Sequence, residues 1–229
     1  EIKKIKEGSP SEMDVNKLIT TWPLRTARPL MNVKNETLAK WGFESLNCLL
    51  PNIEIVTIVT DELSQRNSVR SKKALKEIQS RLNEIGHEPI SWLFEARKRL
   101  SLLDFNEACN PNHMTSIYVI LRDGYTRQNG RYGLYVGQTT KTPEQRFREH
   151  KLGINSGKGL SKYGIQLVRS LMWPWQKVPG AKRFLYESAL HQALAFNTSG
   201  GPVVAGDIIE LEHWPPEFQS RLRSAVEYT

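Results

Sequence analysis

Five residues of this chain are of the types that cut phosphodiester bonds with one metal ion: Tyr118, Tyr135, Arg146, His150 and Glu187. A tyrosine can orient a water, a guanidinium grips phosphate through its planar fork, and a histidine holds or moves a proton. A carboxylate can hold a divalent cation. Taken singly, each residue says little. Strand tyrosines are common core and rim residues, and an arginine and a histidine four apart often make an ordinary solvated helix face.

These side chains must be brought together by particular elements. Ile117 to Leu121 and Leu134 to Gly137 read as two strands of a hairpin, joined through the Gly-, Asn-, Asp- and Arg-rich stretch from Arg122 to Gly133. Residues on one face recur at every second position, and cross-strand neighbours lie about 5 Å apart, so Tyr118 and Tyr135 can meet. A helix follows at once: Thr142 caps it, Pro143 takes its first position, Gln145 completes a capping box, and Gly153 ends it. Arg146 and His150 project from one face of that helix, close to the tyrosines. Glu187 falls on a later helix, about Lys182 to Phe196, between Phe184, Leu190 and Leu194. A carboxylate on such an apolar face must be paired or bind a metal. Pairing with Arg183 or His191 is the plain alternative, and His191 itself reads as structural or supporting.

The remainder of the chain divides in two. Residues 1–112 read as an accessory α/β unit and residues 113–229 as a second unit, with Asn110-Pro111-Asn112 as the linker. In the first unit, a short helix is expected over Asn16 to Trp22 and another over Glu36 to Leu50, interrupted by Gly42. Ile53 to Thr60, β-branched and almost continuously apolar, reads as a buried strand. Ser71 to Ile85 is an amphipathic helix with Gly86 as its C-terminal cap, and Pro89 to Phe94 is a second strand. Asp61 and Glu62 follow the first expected strand, a position that carries carboxylates with or without chemistry. In the second unit, Ile165 to Leu171 reads as a third strand and Pro216 to Val226 as a short helix. The expected fold class is α+β, with a small, mainly antiparallel sheet flanked by helices.

With 229 residues, 39% hydrophobic and 24% charged, the chain has material for one or two globular domains. No apolar run approaches the ~18 residues of a membrane span, and no signal-peptide pattern opens it. A first residue of Glu1 is compatible with a trimmed or partial chain. Cys48 and Cys109 form no metal-ligand spacing and read as free thiols of a reducing compartment, a disulfide between them being the alternative. The net charge of +8 attracts polyanions, nucleic acid foremost. Arg122, Arg127 and Arg131 punctuate the hairpin loop with Tyr125 and Tyr132 interleaved, and Lys158 and Lys162 sit in a glycine-containing loop. Such residues hold phosphates and set orientation without reading sequence.

Ser116-Ile117-Tyr118, Tyr135-Val136-Gly137, Arg146, His150 and Glu187, in this order, resemble the GIY-YIG nuclease family, in its restriction-enzyme-like branch. The resemblance covers about Thr115 to Ile208. Serine replaces the first glycine, and the loop between the two tripeptides is longer than usual. The resemblance implies one Mg²⁺ or Mn²⁺ ion per site, held by Glu187, with Arg146 on the phosphate, Tyr118 and Tyr135 on the attacking water, and His150 assisting. It also implies a supporting asparagine, for which Asn197 is the nearest candidate.

The expected function is therefore metal-dependent cleavage of double-stranded DNA, of a restriction or defence kind, in the cytoplasm. Repair nucleases and secreted antibacterial toxins use the same module. A non-cutting nucleic-acid binder and a basic adaptor protein are readings of a different class. Residues 1–112 carry no catalytic pattern and are expected to serve recognition, partner docking or self-association.

Overall fold

The computed structural model describes residues 28, 30–103, 112–124, 131–157, 159–172, 175–195, 201–209, 213–217, 219–220 and 223. Arg127, Lys158, Asn197, Tyr125 and Cys109 lie outside them, as does the helix expected over Asn16 to Trp22 and part of that over Pro216 to Val226. Contacts divide the chain into two compact units, meeting between Ser91 and Trp92. The second unit thus begins about twenty residues before the expected linker. Trp92 accounts for this: it is buried, and its indole N–H donates to the Tyr132 carbonyl at 3.0 Å. No helix of the described residues is long and apolar enough to cross a membrane.

The described part of the first unit is helical, not α/β. Helix α1 spans Asn35–Asn47, α2 Ile53–Ser64 and α3 Val69–Glu84. The run Ile53 to Thr60, expected as a strand, forms most of α2. Its apolar residues are continuous, so periodicity alone does not separate a buried strand from a helix buried on every side. Local chemistry decides for the helix. Asn52 caps it by accepting from the Ile55 N–H at 3.1 Å, and Thr57 and Thr60 donate back to the Ile53 and Val56 carbonyls, each at 2.8 Å. Pro89 to Phe94 is not a strand either: the Ile90 N–H donates to the Thr57 hydroxyl, and a helix begins at Leu93.

Gly42, read in the sequence as an interruption, is where α1 meets its neighbours. A Cβ there would stand 2.6 Å from Ile78 Cδ1 and 3.3 Å from Val59 Cγ1. The amphipathic helix α3 is as expected, capped by Ser68 at its start and followed by Gly86 at φ +74°. Asp61 and Glu62 belong to α2, not to a turn. Glu62 is buried, and burial alone would raise its pKa. Arg28 (2.7 and 3.1 Å) and Arg66 (2.7 Å) outweigh that and lower it. Replacing Glu62 with alanine is expected to destabilise this unit by about 3 kcal/mol, because two guanidiniums lose their shared acceptor. Urea unfolding of that variant beside Glu62→Gln measures it; a change below ~1 kcal/mol contradicts the assignment.

The second unit opens with helix α4 (Leu93–Leu100) and then builds a four-stranded sheet from β1 (Ser116–Arg122), β2 (Gly133–Thr139), β3 (Gly164–Leu167) and β4 (Val204–Ala205). Their order is β3-β1-β2-β4, with β1 antiparallel to both β2 and β3, and β4 parallel to β2. The sheet is therefore mixed, through its short edge strand. Helix α5 (Pro143–Lys151) packs on β1 and β3, and a short helix α6 (Leu160–Tyr163) leads into β3. The expected third strand is shorter than its sequence suggested, since α7 (Arg169–Met172) takes over its second half. A 3-10 turn at Gly180–Lys182 then leads into α8 (Arg183–Leu194), which packs on β1 and β2.

Candidate active site

The hairpin register decides where the tyrosines go. Tyr118 stands opposite Gly137, and Tyr135 opposite Ile120. All four share one face by strand parity, which makes the two tyrosines diagonal neighbours. Their ring centroids are 6.2 Å apart. Gly137 is what lets Tyr118 lie across the neighbouring strand. A Cβ at position 137 would sit 2.5 Å from Tyr118 Oη, 2.6 Å from its Cζ and 2.9 Å from Tyr135 Cε1. Tyr118 is 1% exposed and has little room to give way. Gly137→Ala is therefore expected to displace both rings, costing about 2 kcal/mol of stability and more than ~100-fold of any activity of the site. Thermal unfolding and rate measurements on that one variant test both.

Helix α5 brings His150 and Arg146 to the tyrosines. Its start is as expected: Thr142 accepts from the Gln145 N–H at 3.2 Å, and the Gln145 side chain returns to the Thr142 N–H at 3.2 Å. One turn apart on this helix, Arg146 and His150 face the sheet. His150 is fully buried, with Nε2 2.7 Å from Tyr118 Oη and its ring centroid 5.7 Å from that of Tyr135. The Gly157 N–H donates to His150 Nδ1 at 3.3 Å. Burial, followed by the nearby Arg146 guanidinium, pushes the His150 pKa down to about 4, so the ring is neutral at pH 7. Burial raises the Tyr118 phenol well above its ordinary range, and the Tyr135 phenol opposes ionisation further, while Arg146 works the other way.

Arg146 is anchored as well as near. Its guanidinium donates to Glu149 Oε2 (3.1 Å) and to the carbonyls of Asn155 (2.7 Å) and Ile154 (3.4 Å). These loop partners are invisible in the sequence, because backbone carbonyls have no residue signature. A phosphate oxygen approaching the guanidinium competes with them.

Glu187 lies on α8, 4% exposed. Its pKa is pushed up to about 7, by burial first and by Asp207 second, while the Gln138 side chain holds it down. The Tyr135 pKa is raised too, by burial first and then by the Glu187 carboxylate. The alternative pairing of Glu187 with Arg183 or His191 is not among the described ion pairs.

Asp207 went unnoticed in the sequence. It follows Gly206, whose φ is +141° and where a Cβ would fall 2.4 Å from the Val136 carbonyl oxygen. The Gly-Asp step after an apolar Val-Val pair was the available signal. A buried carboxylate whose charge is opposed by a second one favours a divalent cation, and a cation held by one or two carboxylates completes its shell with water and substrate. The residues thus fit one ion at Glu187, although the described residues contain no group of three or more His, Cys, Asp or Glu side chains able to cage one.

The basic residues separate. Arg131 turns onto Asp123 in a bidentate pair (2.9 and 2.7 Å), which closes the base of the hairpin loop. Arg122 and Lys162 meet around Tyr163: a Cβ on Gly159 would lie 3.2 Å from both Arg122 Nη2 and Tyr163 Cδ2, and Lys162 Nζ stands 4.9 Å from the Tyr163 ring centroid. Comparison of the chain with protein-family models, with curated proteins and with solved structures finds no match.

Proposed function

We propose that this chain is a metal-dependent endonuclease of the GIY-YIG type, hydrolysing phosphodiester bonds of double-stranded DNA in a cytoplasmic restriction or defence role. The observation that carries the reading is the packing of Tyr118, Tyr135 and His150 into one cluster, 5.7 to 6.2 Å between ring centroids, with the Glu187 charge acting on Tyr135. Side chains distant in sequence meet there in the combination that phosphoryl chemistry uses.

The geometry supports a role for each residue. Arg146 binds the scissile phosphate, exchanging its loop carbonyls for phosphate oxygens. Tyr118, whose phenol keeps its proton, orients the attacking water, held in place by the donors around its own oxygen. Tyr135, half-buried at the rim, positions the phosphate. Glu187, with Asp207 beside it, is the place for Mg²⁺ or Mn²⁺. Such an ion, when bound, neutralises a phosphate oxygen and assists the leaving oxygen. Arg122 and Lys162 hold the flanking backbone, and Tyr163 lies between them.

Incubating the protein with supercoiled plasmid, in Mg²⁺ or in chelator, tests the proposal. Nicked or linear product in Mg²⁺ alone is expected. Retarded but uncut plasmid in both would favour the non-cutting binder. Replacing Arg122 and Lys162 together with alanine is expected to reduce the slope of log affinity against log salt by about 2, with cleavage chemistry otherwise retained. An unchanged slope removes them from the DNA path.

A further inference from the structure

This inference rests on the proposed nuclease reading and concerns how its site is held. We infer that the backbone N–H of Gly157 is a positioning group, fixing His150 as a neutral hydrogen-bond donor to Tyr118 and excluding it as a proton acceptor.

A peptide N–H only donates, so its 3.3 Å contact with Nδ1 requires a lone pair on that nitrogen. A neutral imidazole carries one ring proton, which must then sit on Nε2. Nε2 lies 2.7 Å from Tyr118 Oη, so Nε2–H donates and the phenol oxygen accepts. The hydroxyl proton of Tyr118 therefore points away from His150. The Tyr135 side chain, which hydrogen-bonds the Tyr118 phenol, is the partner on that side. A donor fixed on the phenol oxygen holds that oxygen in one orientation, which is what a tyrosine ordering a water requires.

The segment that carries the amide is itself tied to α5. The Gly153 N–H and the Ser156 hydroxyl each donate to the His150 carbonyl at 3.1 Å, the Ile154 N–H donates to the Glu149 carbonyl at 2.9 Å, and Arg146 donates to the Asn155 carbonyl at 2.7 Å. Asn155 turns the chain through a left-handed conformation, φ +43°. Glycine is required at 157 because a Cβ would stand 2.9 Å from Tyr135 Cε2 and 3.0 Å from Leu160 Cδ1. One loop thus touches Arg146, His150 and Tyr135 together.

The test begins with the intact chain, labelled with ¹⁵N at histidine. The expected spectrum shows His150 with an unprotonated Nδ1 and a protonated Nε2 at neutral pH; a protonated Nδ1 overturns the inference. Two variants read the consequence. His150→Gln retains an amide N–H to donate but cannot accept a proton, and it is expected to cleave within about tenfold of the parent. His150→Leu is expected to lose ~100-fold or more. Equal losses in the two folded variants overturn the donor role. The Gly157 amide is expected to exchange faster with solvent in His150→Leu, and an unchanged rate overturns its part. Should the parent chain not cleave at all, the nuclease reading fails, while the spectrum and the exchange rate still decide the positioning of His150.

Discussion

Glu187→Gln is expected to abolish Mg²⁺-dependent cleavage, by ~10³-fold or more, and at the same time to stabilise the protein above neutral pH. Both effects come from burial. The native carboxyl titrates near 7 because burial and Asp207 oppose its charge, whereas the unfolded chain titrates near its ordinary 4.5. The native state therefore binds the proton more tightly. Below pH 4.5 both states are protonated and the residue costs nothing. The cost accrues as pH rises from 4.5 to 7 and is complete above 7, where a shift of this size is worth about 3 kcal/mol. Glutamine keeps the shape without the charge. Its advantage in urea unfolding should be about 2 to 3 kcal/mol at pH 8 and vanish near pH 4.5. Added Mg²⁺ should stabilise the parent and not the variant. A variant that cuts at the parental rate ends the metal assignment. One with no pH-dependent advantage ends the claim that a disfavoured charge is maintained at this position.

Tyr118→Phe is expected to lower the cleavage rate by ~10² to 10⁴-fold with little change in DNA affinity. The ring still fills its place against Gly137 and Tyr135, so the fold survives. What goes is the oxygen 2.7 Å from His150 Nε2. That leaves a buried donor without its acceptor, which costs about 1 to 3 kcal/mol. Burial makes this phenol a reluctant acid, so its part in the chemistry depends on donors at its oxygen and on the local cations. Rates and binding, measured separately on this variant, distinguish a chemical role from a packing one. Parental cleavage at reduced stability would make Tyr118 a core residue only.

The site was legible in the sequence where side chains encode local structure. Thr142, Pro143 and Gln145 announced helix α5 through its capping box, which placed Arg146 and His150. Alternation in the hairpin brought Tyr118 to Tyr135. Glu187 was visible as a carboxylate on an apolar stripe. The failures have equally local causes. Ile53 to Thr60 is apolar on every side, so it carried no period from which to choose helix over strand, and the Asn52 cap was the decisive detail. Asp207 comes to Glu187 through a two-residue parallel strand, too short to leave a pattern. The Gly157 amide and the Ile154 and Asn155 carbonyls are backbone groups, silent in any reading of side chains.

The central claim is convergence of Tyr118, Tyr135, Arg146 and Glu187 on one phosphate. Its most direct test is the anomalous scattering of Mn²⁺ in crystals grown with a DNA duplex whose bridging oxygens resist cleavage. The account predicts one manganese peak coordinated by the Glu187 carboxylate, and a backbone phosphate bound to it that also contacts Arg146 and lies against the two phenols. Manganese located elsewhere, or DNA bound across a different face with no phosphate at Arg146 and the two phenols, would contradict it.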